Sequence, residues 1–332
     1  MYAELILAVD LTARAVDMIK VIMDVDTGID DAIAIIMALQ SPEIEILAIT
    51  TVSGNVSARL AGLNTLGLLK MFDKHLVIPV IQGAARPLSK KIMRAEEDIH
   101  GQKGIGNVKL NYNQLRLQLR KGEKISHRIS RILDNYKKKE VSFVATGPLT
   151  NIAFAITEDP AFVNHFSRIC IMGGAYGLAS KVYGNITEYA EFNFYYDPIA
   201  AQIVMSSPAA RLNIVGLDAT DRYLVVNEKF MVRLDDQKSK ASKLAKSILE
   251  YPLRKFGRFN LPDTFAVGML EKPNLFQFVR GRVVVTSQGG ELWGHSKFIQ
   301  RNNTNQYVVK KVDQKGFSDY VFSRLGNAKI TN

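Results

Sequence analysis

Four carboxylates fall within eight residues in the segment Asp24-Val25-Asp26-Thr27-Gly28-Ile29-Asp30-Asp31. Left unpaired they would repel one another strongly, so a cation is expected among them. No cysteine or histidine accompanies them, and an all-oxygen donor set suits a hard ion, calcium or magnesium. Asp30 and Asp31 also open a run of helical composition, where negative charge is favoured by about 0.3–1 kcal/mol each. Asp24 and Asp26 come earlier, at the end of an apolar run, and helix-start chemistry does not explain them.

Two acidic-loop patterns come near this segment. Counted as an EF-hand loop from Asp24, position six is Ile29 and position twelve is Ile35, where that loop needs Gly and Glu. The order strand-Asp-x-Asp is similar to that of a haloacid-dehalogenase-type (HAD-type) phosphatase, with the first aspartate as nucleophile, although Gly28 stands where that pattern has Thr. It remains an alternative resting on a short motif.

The acids need a scaffold that collects them. Val21-Ile22-Met23 reads as a buried strand. Residues 30–40 read as a helix stopped by Ser41-Pro42. Residues 44–51 read as a second strand, 57–71 as a helix and 77–81 as a third strand. Residues 83–114 are rich in Gly and charge and read as a long loop, a kind that often carries function. A helix around 124–138 precedes a strand at 141–145, a helix at 149–157 and a strand at 168–172. This alternation predicts an α/β fold, an open, mostly parallel twisted sheet flanked by helices. Ligands bind such sheets at the carboxyl ends of the strands. Asp24, Asp26, Ser53, Asn55 and Thr146 all follow predicted strands. After residue 275 the pattern changes to short strand-like runs at 281–286 and 306–312. Residues 19–332 read as one domain, preceded by an N-terminal extension over 1–18.

The chain has 332 residues, 47% of them hydrophobic, enough for a large core. No run of eighteen apolar residues suggests a membrane-spanning helix. The first residues lack a basic start, and Asp10 interrupts their apolar stretch, unlike a secretory signal. Cys170 is the single cysteine, so neither an internal disulfide nor a cysteine-built zinc site is open to the chain. It lies in an apolar run and reads as a buried thiol, with the cytoplasm as the expected compartment. The net charge of +11 is spread over 137–139, Lys90-Lys91 and 238–258, and aromatics do not alternate with the basic residues in a stacking pattern. That reads as solvated helix faces, with no nucleic-acid surface and no membrane partner.

Six segments then occur in a fixed order. They are Asp26-Thr27-Gly28-Ile29-Asp30-Asp31-Ala32; Thr50-Thr51-Val52-Ser53-Gly54-Asn55; Ile99-His100-Gly101; Ala145-Thr146-Gly147-Pro148-Leu149-Thr150-Asn151-Ile152-Ala153; Met172-Gly173-Gly174 with Asn185, Ala190-Glu191-Phe192-Asn193-Phe194 and Asp197-Pro198; and Pro262-Asp263. From about Lys20 to Phe317 the chain resembles the inosine–uridine-type nucleoside hydrolase family, calcium-dependent nucleoside N-ribohydrolases. The resemblance implies a Rossmann-like sheet and hydrolysis of the N-glycosidic bond of ribonucleosides to free base and ribose. It implies Ca²⁺ bound by Asp26, Asp31 and Asp263 with the carbonyl of Thr146, leaving room for two sugar hydroxyls and a water. Asp26 would take a proton from the calcium-bound water as general base. The attacked ribose carbon would pass through an oxocarbenium-like transition state. Asp30, Asn55, Glu191 and Asn193 would hold ribose hydroxyls, with Asn185 near the 5′ hydroxyl and Met172 against the sugar. His100 would lie near the base, where an ordinary pKa near 6.5 suits proton transfer. The implied partner is a small-molecule ribonucleoside in nucleoside salvage, acted on by a dimer or tetramer of this chain.

Read without the resemblance, Met172 is equally a core methionine, and Glu191 and Asn193 alternate with Phe192 and Phe194 as in a half-exposed strand. The chain also departs from the family. Purine- and pyrimidine-accepting members place a histidine before the second calcium aspartate, and here that residue is Pro262, which can protonate nothing. This keeps open a non-hydrolysing nucleoside- or ribose-binding relative. Gln102-Lys103 replaces a frequent acid, and the segment between Met172 and Asn185 is long. Tyr251, Arg254, Phe256, Arg258 and Phe259 lie where the family closes over the base, and could stack on it or hydrogen-bond it. They could equally form an amphipathic surface helix.

Overall fold

A computed structural model describes residues 18–90, 97–106, 108–112, 115, 117, 123–207 and 211–326. The expected extension over 1–18 lies outside these, apart from Met18. In chain order the first half runs β1 (Ile19–Val25), α1 (Ile29–Gln40), β2 (Ile44–Thr51), α2 (Ala58–Met71), β3 (Val80–Gln82), α3 (Glu97–His100), α4 (Ile125–Leu133), β4 (Val141–Ala145), α5 (Thr150–Glu158) and β5 (Phe166–Met172). The second half runs α6 (Phe192–Tyr196), α7 (Pro198–Ser206), β6 (Leu212–Val215), α8 (Leu217–Tyr223), β7 (Val225–Val226), α9 (Glu228–Asp236), α10 (Lys240–Phe256), β8 (Phe259–Asn260), α11 (Asp263–Glu271), β9 (Phe276–Val285), β10 (Ser296–Gln300), β11 (Gln306–Val312) and α12 (Gln314–Leu325).

Nine strands form one sheet in the order β10-β9-β11-β6-β5-β4-β1-β2-β3. From β11 to β3 neighbouring strands are parallel, and β9 runs antiparallel between β10 and β11. The predicted mostly parallel α/β sheet is therefore present. The chain winds outward one way through β2 and β3, then crosses back over β1 to β4. A crevice opens between β1 and β4 at their carboxyl ends, the place where such sheets bind ligands. Asp24 pairs in register with Thr50 on β2 and with Ala145 on β4, so all three loop clusters meet there.

Beyond Asp30 and Asp31 in its first turn, helix α1 is apolar all round as far as Leu39, and it is buried from Ile29 to Ala38. It packs against α11, α12 and α10 beneath the sheet, as a helix without a polar face must. One apolar cluster fills this side, and a second, built on Phe143, Phe162, Phe166 and Phe194, fills the other.

Several predicted boundaries shift. The strand expected over 77–81 begins at Val80, because Leu76 and Val77 are exposed in a turn. The helix expected to reach 138 stops at Leu133, and Lys139 sits at positive φ just before β4. The run at 281–286 is the second half of β9. The alternating Glu191–Phe194 stretch is the start of α6, a short helix, because the Glu191 carboxylate caps it from its N-terminus. Among the described residues no helix is long and apolar enough to cross a membrane.

Candidate active site

The acidic turn is tight because Gly28 allows no side chain. A Cβ there would lie 2.6 Å from Asn55 Nδ2 and 2.7 Å from His100 Nδ1. The Gly28 N–H donates to Asp31 Oδ2 at 2.8 Å, which starts α1 and fixes that carboxylate. Asp31 Oδ1 accepts from the Thr146 hydroxyl at 2.6 Å, joining the turn to the loop after β4. Asp26 Oδ2 accepts the Asn55 N–H at 2.6 Å, joining it to the loop after β2.

Asp263 enters from the first position of α11. Carboxylate oxygens of Asp30, Asp31 and Asp263 lie within 4.8 Å of one another, all buried. Asp26 and Asp31 feel each other's charge, as do Asp30 and Asp263. Ionised carboxylates only accept, so each such pair needs a shared proton or a cation. Burial first, then the neighbouring carboxylates, push Asp26 and Asp263 well above the ordinary range and Asp30 up to about 7. Burial raises Asp31 too. Buried Asp26 Oδ1 and Asp30 Oδ1 have no hydrogen-bond partner, and among the described residues no lysine or arginine pairs with the four acids. A hard divalent ion fits this donor set on every count. Asp30, placed on the ribose by the sequence reading, lies within 4.8 Å of both Asp31 and Asp263. It therefore stands within the metal-type cluster as well.

A cavity of about 310 Å³ opens beside the cluster. Asp30, Asp263, Thr146, Asn55, Met172, Asn185, Glu191, Asn193 and His100, all sequence-predicted, line it. Asp26 and Asp31 stand behind that lining, tied to Asn55 and Thr146 as described. Asn193 Nδ2 donates to the carbonyls of Thr146 at 2.7 Å and Met172 at 3.2 Å. The Thr146 carbonyl thus keeps one lone pair for a second partner. Glu191 accepts N–H groups of Gly174, Asn193 and Phe194, yet burial still raises it to about 7. Asn185 Oδ1 accepts the Phe192 N–H at 3.0 Å.

His100 differs from its expected titration. Burial pushes its pKa down to about 4. Its Nδ1 accepts the Ile29 N–H at 3.0 Å, so the neutral ring carries its proton on Nε2. At neutral pH this histidine is a hydrogen-bond donor, because the imidazolium would lose its hydration and the backbone amide already holds the Nδ1 lone pair.

Three features were not read from the sequence. Asp24 does not line the cavity. Its Oδ1 accepts from Thr50 Oγ1 at 2.6 Å and Asn151 Nδ2 at 2.7 Å, locking β1, β2 and α5 behind the cluster. The Tyr196 hydroxyl shares a hydrogen bond with Ser53 Oγ at 2.8 Å, bracing the loop that carries Asn55. Asp221 and Asn260 bond to each other on the far cavity wall, a pairing no local motif announces.

Gly54 offers a test of this arrangement. A Cβ there would land on the Asp26 carboxylate, and the backbone imposes no positive φ that would itself exclude alanine. Gly54→Ala should displace Asp26, cost about 1–3 kcal/mol of stability as overpacking does, and lower kcat about 100-fold in the folded variant, as small misplacements of reacting groups do. A variant with wild-type kcat would show that the position of Asp26 is not critical.

The inosine-uridine preferring nucleoside hydrolase family model matches residues 21–319. The chain is 35% identical over 326 residues to uridine nucleosidase 1 of Arabidopsis thaliana, covering 92% of this chain and 93% of that one. It is 33% identical over 317 residues to the pyrimidine-specific ribonucleoside hydrolase RihA of Escherichia coli, covering 92% and 98%. Among solved structures, a plant nucleoside hydrolase superposes with a TM-score of 0.83 at 29% identity, covering 93% of this chain and 99% of that chain. A purine-preferring ribonucleoside hydrolase from Gardnerella vaginalis superposes with a TM-score of 0.83 at 28% identity, covering 92% and 98%.

Proposed function

Because the chain belongs to the inosine–uridine preferring nucleoside hydrolase family, we propose that it is a calcium-dependent hydrolase that cuts ribonucleosides into free base and ribose. The observation that carries the reading is the cluster of buried Asp30, Asp31 and Asp263 carboxylates beside a cavity lined by further amides and acids. The family match displaces the HAD-type phosphatase alternative.

Asp26, Asp31, Asp263 and the Thr146 carbonyl would hold the ion, with Asp30 beside it. Calcium bound there would neutralise the cluster and acidify a water. Asp26 is the general base: the Asn55 N–H fixes its Oδ2, and its unpartnered Oδ1 is free to take a proton. Asp30, Asn55, Asn185, Glu191 and Asn193 orient the ribose, and Met172 packs against it. The negative field of the acids favours the positive charge that develops on the sugar. Buried partners for the sugar hydroxyls would be left unpaired by a 2′-deoxyribonucleoside, which should react poorly. His100 stands at the base end as a neutral donor. We place the enzyme in nucleoside salvage in the cytoplasm, as one domain that assembles into dimers or tetramers.

The test is release of base and reducing sugar from inosine, adenosine, guanosine, uridine, cytidine and p-nitrophenyl riboside, with calcium and with chelator. Calcium-dependent release from ribonucleosides is expected. Pro262 at the leaving-group position favours one other reading, a binding protein. Calcium and nucleoside binding with no release from any substrate would establish it.

A further inference from the structure

The ribose end of the cavity is crowded with acids and amides, whereas the base end is mostly apolar, lined by Ile99, Leu217, Phe256 and Phe259. Three polar side chains interrupt that end: Asp221, Arg258 and Asn260. Asp221 is on α8, Asn260 on the ribbon β7–β8, and Arg258 on the turn between α10 and β8. Asn260 Nδ2 donates to Asp221 Oδ1. An ionised carboxylate only accepts, so this bond fixes which end of the amide is which. The other end, Asn260 Oδ1, is buried with no partner. A buried carbonyl without a donor is costly, and a donor brought in by a ligand removes that cost. Arg258 makes no ion pair or hydrogen bond among the described residues and is the only Lys or Arg lining the cavity.

Breaking the glycosidic bond leaves its electron pair on the base nitrogen. Either a proton reaches the base as the bond breaks, or the base departs as an anion and is protonated afterwards by solvent. Pro262 carries no proton to give, and the Nδ1 lone pair of His100 is already taken by the Ile29 N–H. A guanidinium keeps its charge at any working pH; Arg258 is exposed beside the cavity, and a bound base that covers it would meet a fixed charge that stabilises developing negative charge.

Resting on the hydrolase reading, we propose that Arg258 and Asn260 grip the base and that Arg258 lets it leave as an anion, with Asp221 positioning Asn260. Water adds to the ribose carbon, Asp26 takes its proton, the carbon–nitrogen bond breaks, and the base carries off the electron pair. The negative charge spreads onto a ring carbonyl that Arg258 faces. Asn260 Oδ1 accepts a ring N–H. The pair therefore selects bases with a carbonyl beside a ring N–H, as in uracil. It disfavours cytosine, whose corresponding ring nitrogen bears no hydrogen.

The test compares kcat/KM for uridine, 3-methyluridine, cytidine and p-nitrophenyl riboside in the wild type and in Arg258→Gln, Asn260→Leu and Asp221→Asn. Arg258→Gln should lower uridine cleavage on the order of 100-fold, and p-nitrophenyl riboside cleavage by less than about threefold, because its leaving group needs no help. The wild type should prefer uridine to 3-methyluridine by about 10- to 100-fold, the worth of one buried hydrogen bond. Asn260→Leu, similar in bulk, should bring that ratio towards one, and Asp221→Asn should reduce it. Equal losses on uridine and p-nitrophenyl riboside in Arg258→Gln would overturn the role of Arg258. Equal use of uridine and 3-methyluridine by the wild type would overturn that of Asn260. A wild type inactive on every substrate would overturn the hydrolase reading itself.

Discussion

Asp26→Asn lowers kcat by about 10²–10⁴-fold and leaves the protein folded, the range that general-base removal commands. The asparagine carbonyl can still accept the Asn55 N–H that holds Asp26 Oδ2 in the wild type, so the loop after β2 stays in place. What disappears is the basic oxygen, Oδ1, which is buried without a partner. The substitution also removes one of four mutually repelling charges. Without calcium the variant should therefore melt no lower than the wild type, and that separates lost chemistry from lost structure. Turnover measured beside thermal melting checks both halves. Wild-type kcat in a folded variant would take the base role away from Asp26.

Removing the ion should abolish turnover and also destabilise the protein in a pH-dependent way. Asp30 is raised to about 7, and Asp26, Asp31 and Asp263 are raised too, burial being the first cause in each. Unfolded aspartates titrate near ~3.9. Between the unfolded and folded values the folded, ion-free chain binds more protons than the unfolded one. Its stability is then greatest at acid pH and falls as pH rises through about 7. Calcium bound as proposed would replace those protons. An ion at a hundred times its Kd adds about 2.7 kcal/mol. The rise in Tm on adding calcium should therefore be several degrees near pH 8 and much smaller near about pH 5. An equal shift at both would mean that the ion binds elsewhere or that these acids are not strained.

Much of this is legible in the sequence, for local reasons. The strands at 44–51, 141–145 and 306–312 are runs whose residue types leave little choice, and they form where expected. The acidic turn declared itself because its charges are consecutive. Strand β6, with four buried residues, is too short for periodicity to show, and β10 owes its place to pairing with β9. The stretch from Glu191 was ambiguous because two alternations fit a strand as well as one helical turn, and the capping carboxylate decides between them. Asp221 and Asn260 stayed hidden because nothing near either residue signals the other. The neutral state of His100 was equally out of reach, since it depends on burial and on the Ile29 amide.

The acidic cluster is also scattered in time. A chain leaves the ribosome N-terminus first and begins to fold as it emerges. Asp26, Asp30 and Asp31 come out with the first strand and helix, Thr146 much later, and Asp263 only with α11. That helix is also one of the covers of α1, which has no polar face to show to water. A nascent chain stalled before α11 would display an uncovered apolar helix next to carboxylates with nothing to balance them. Chaperones and proteases recognise such chains. On the proposed reading, the ion could be captured fully only once α11 has emerged and brought Asp263 to the other acids.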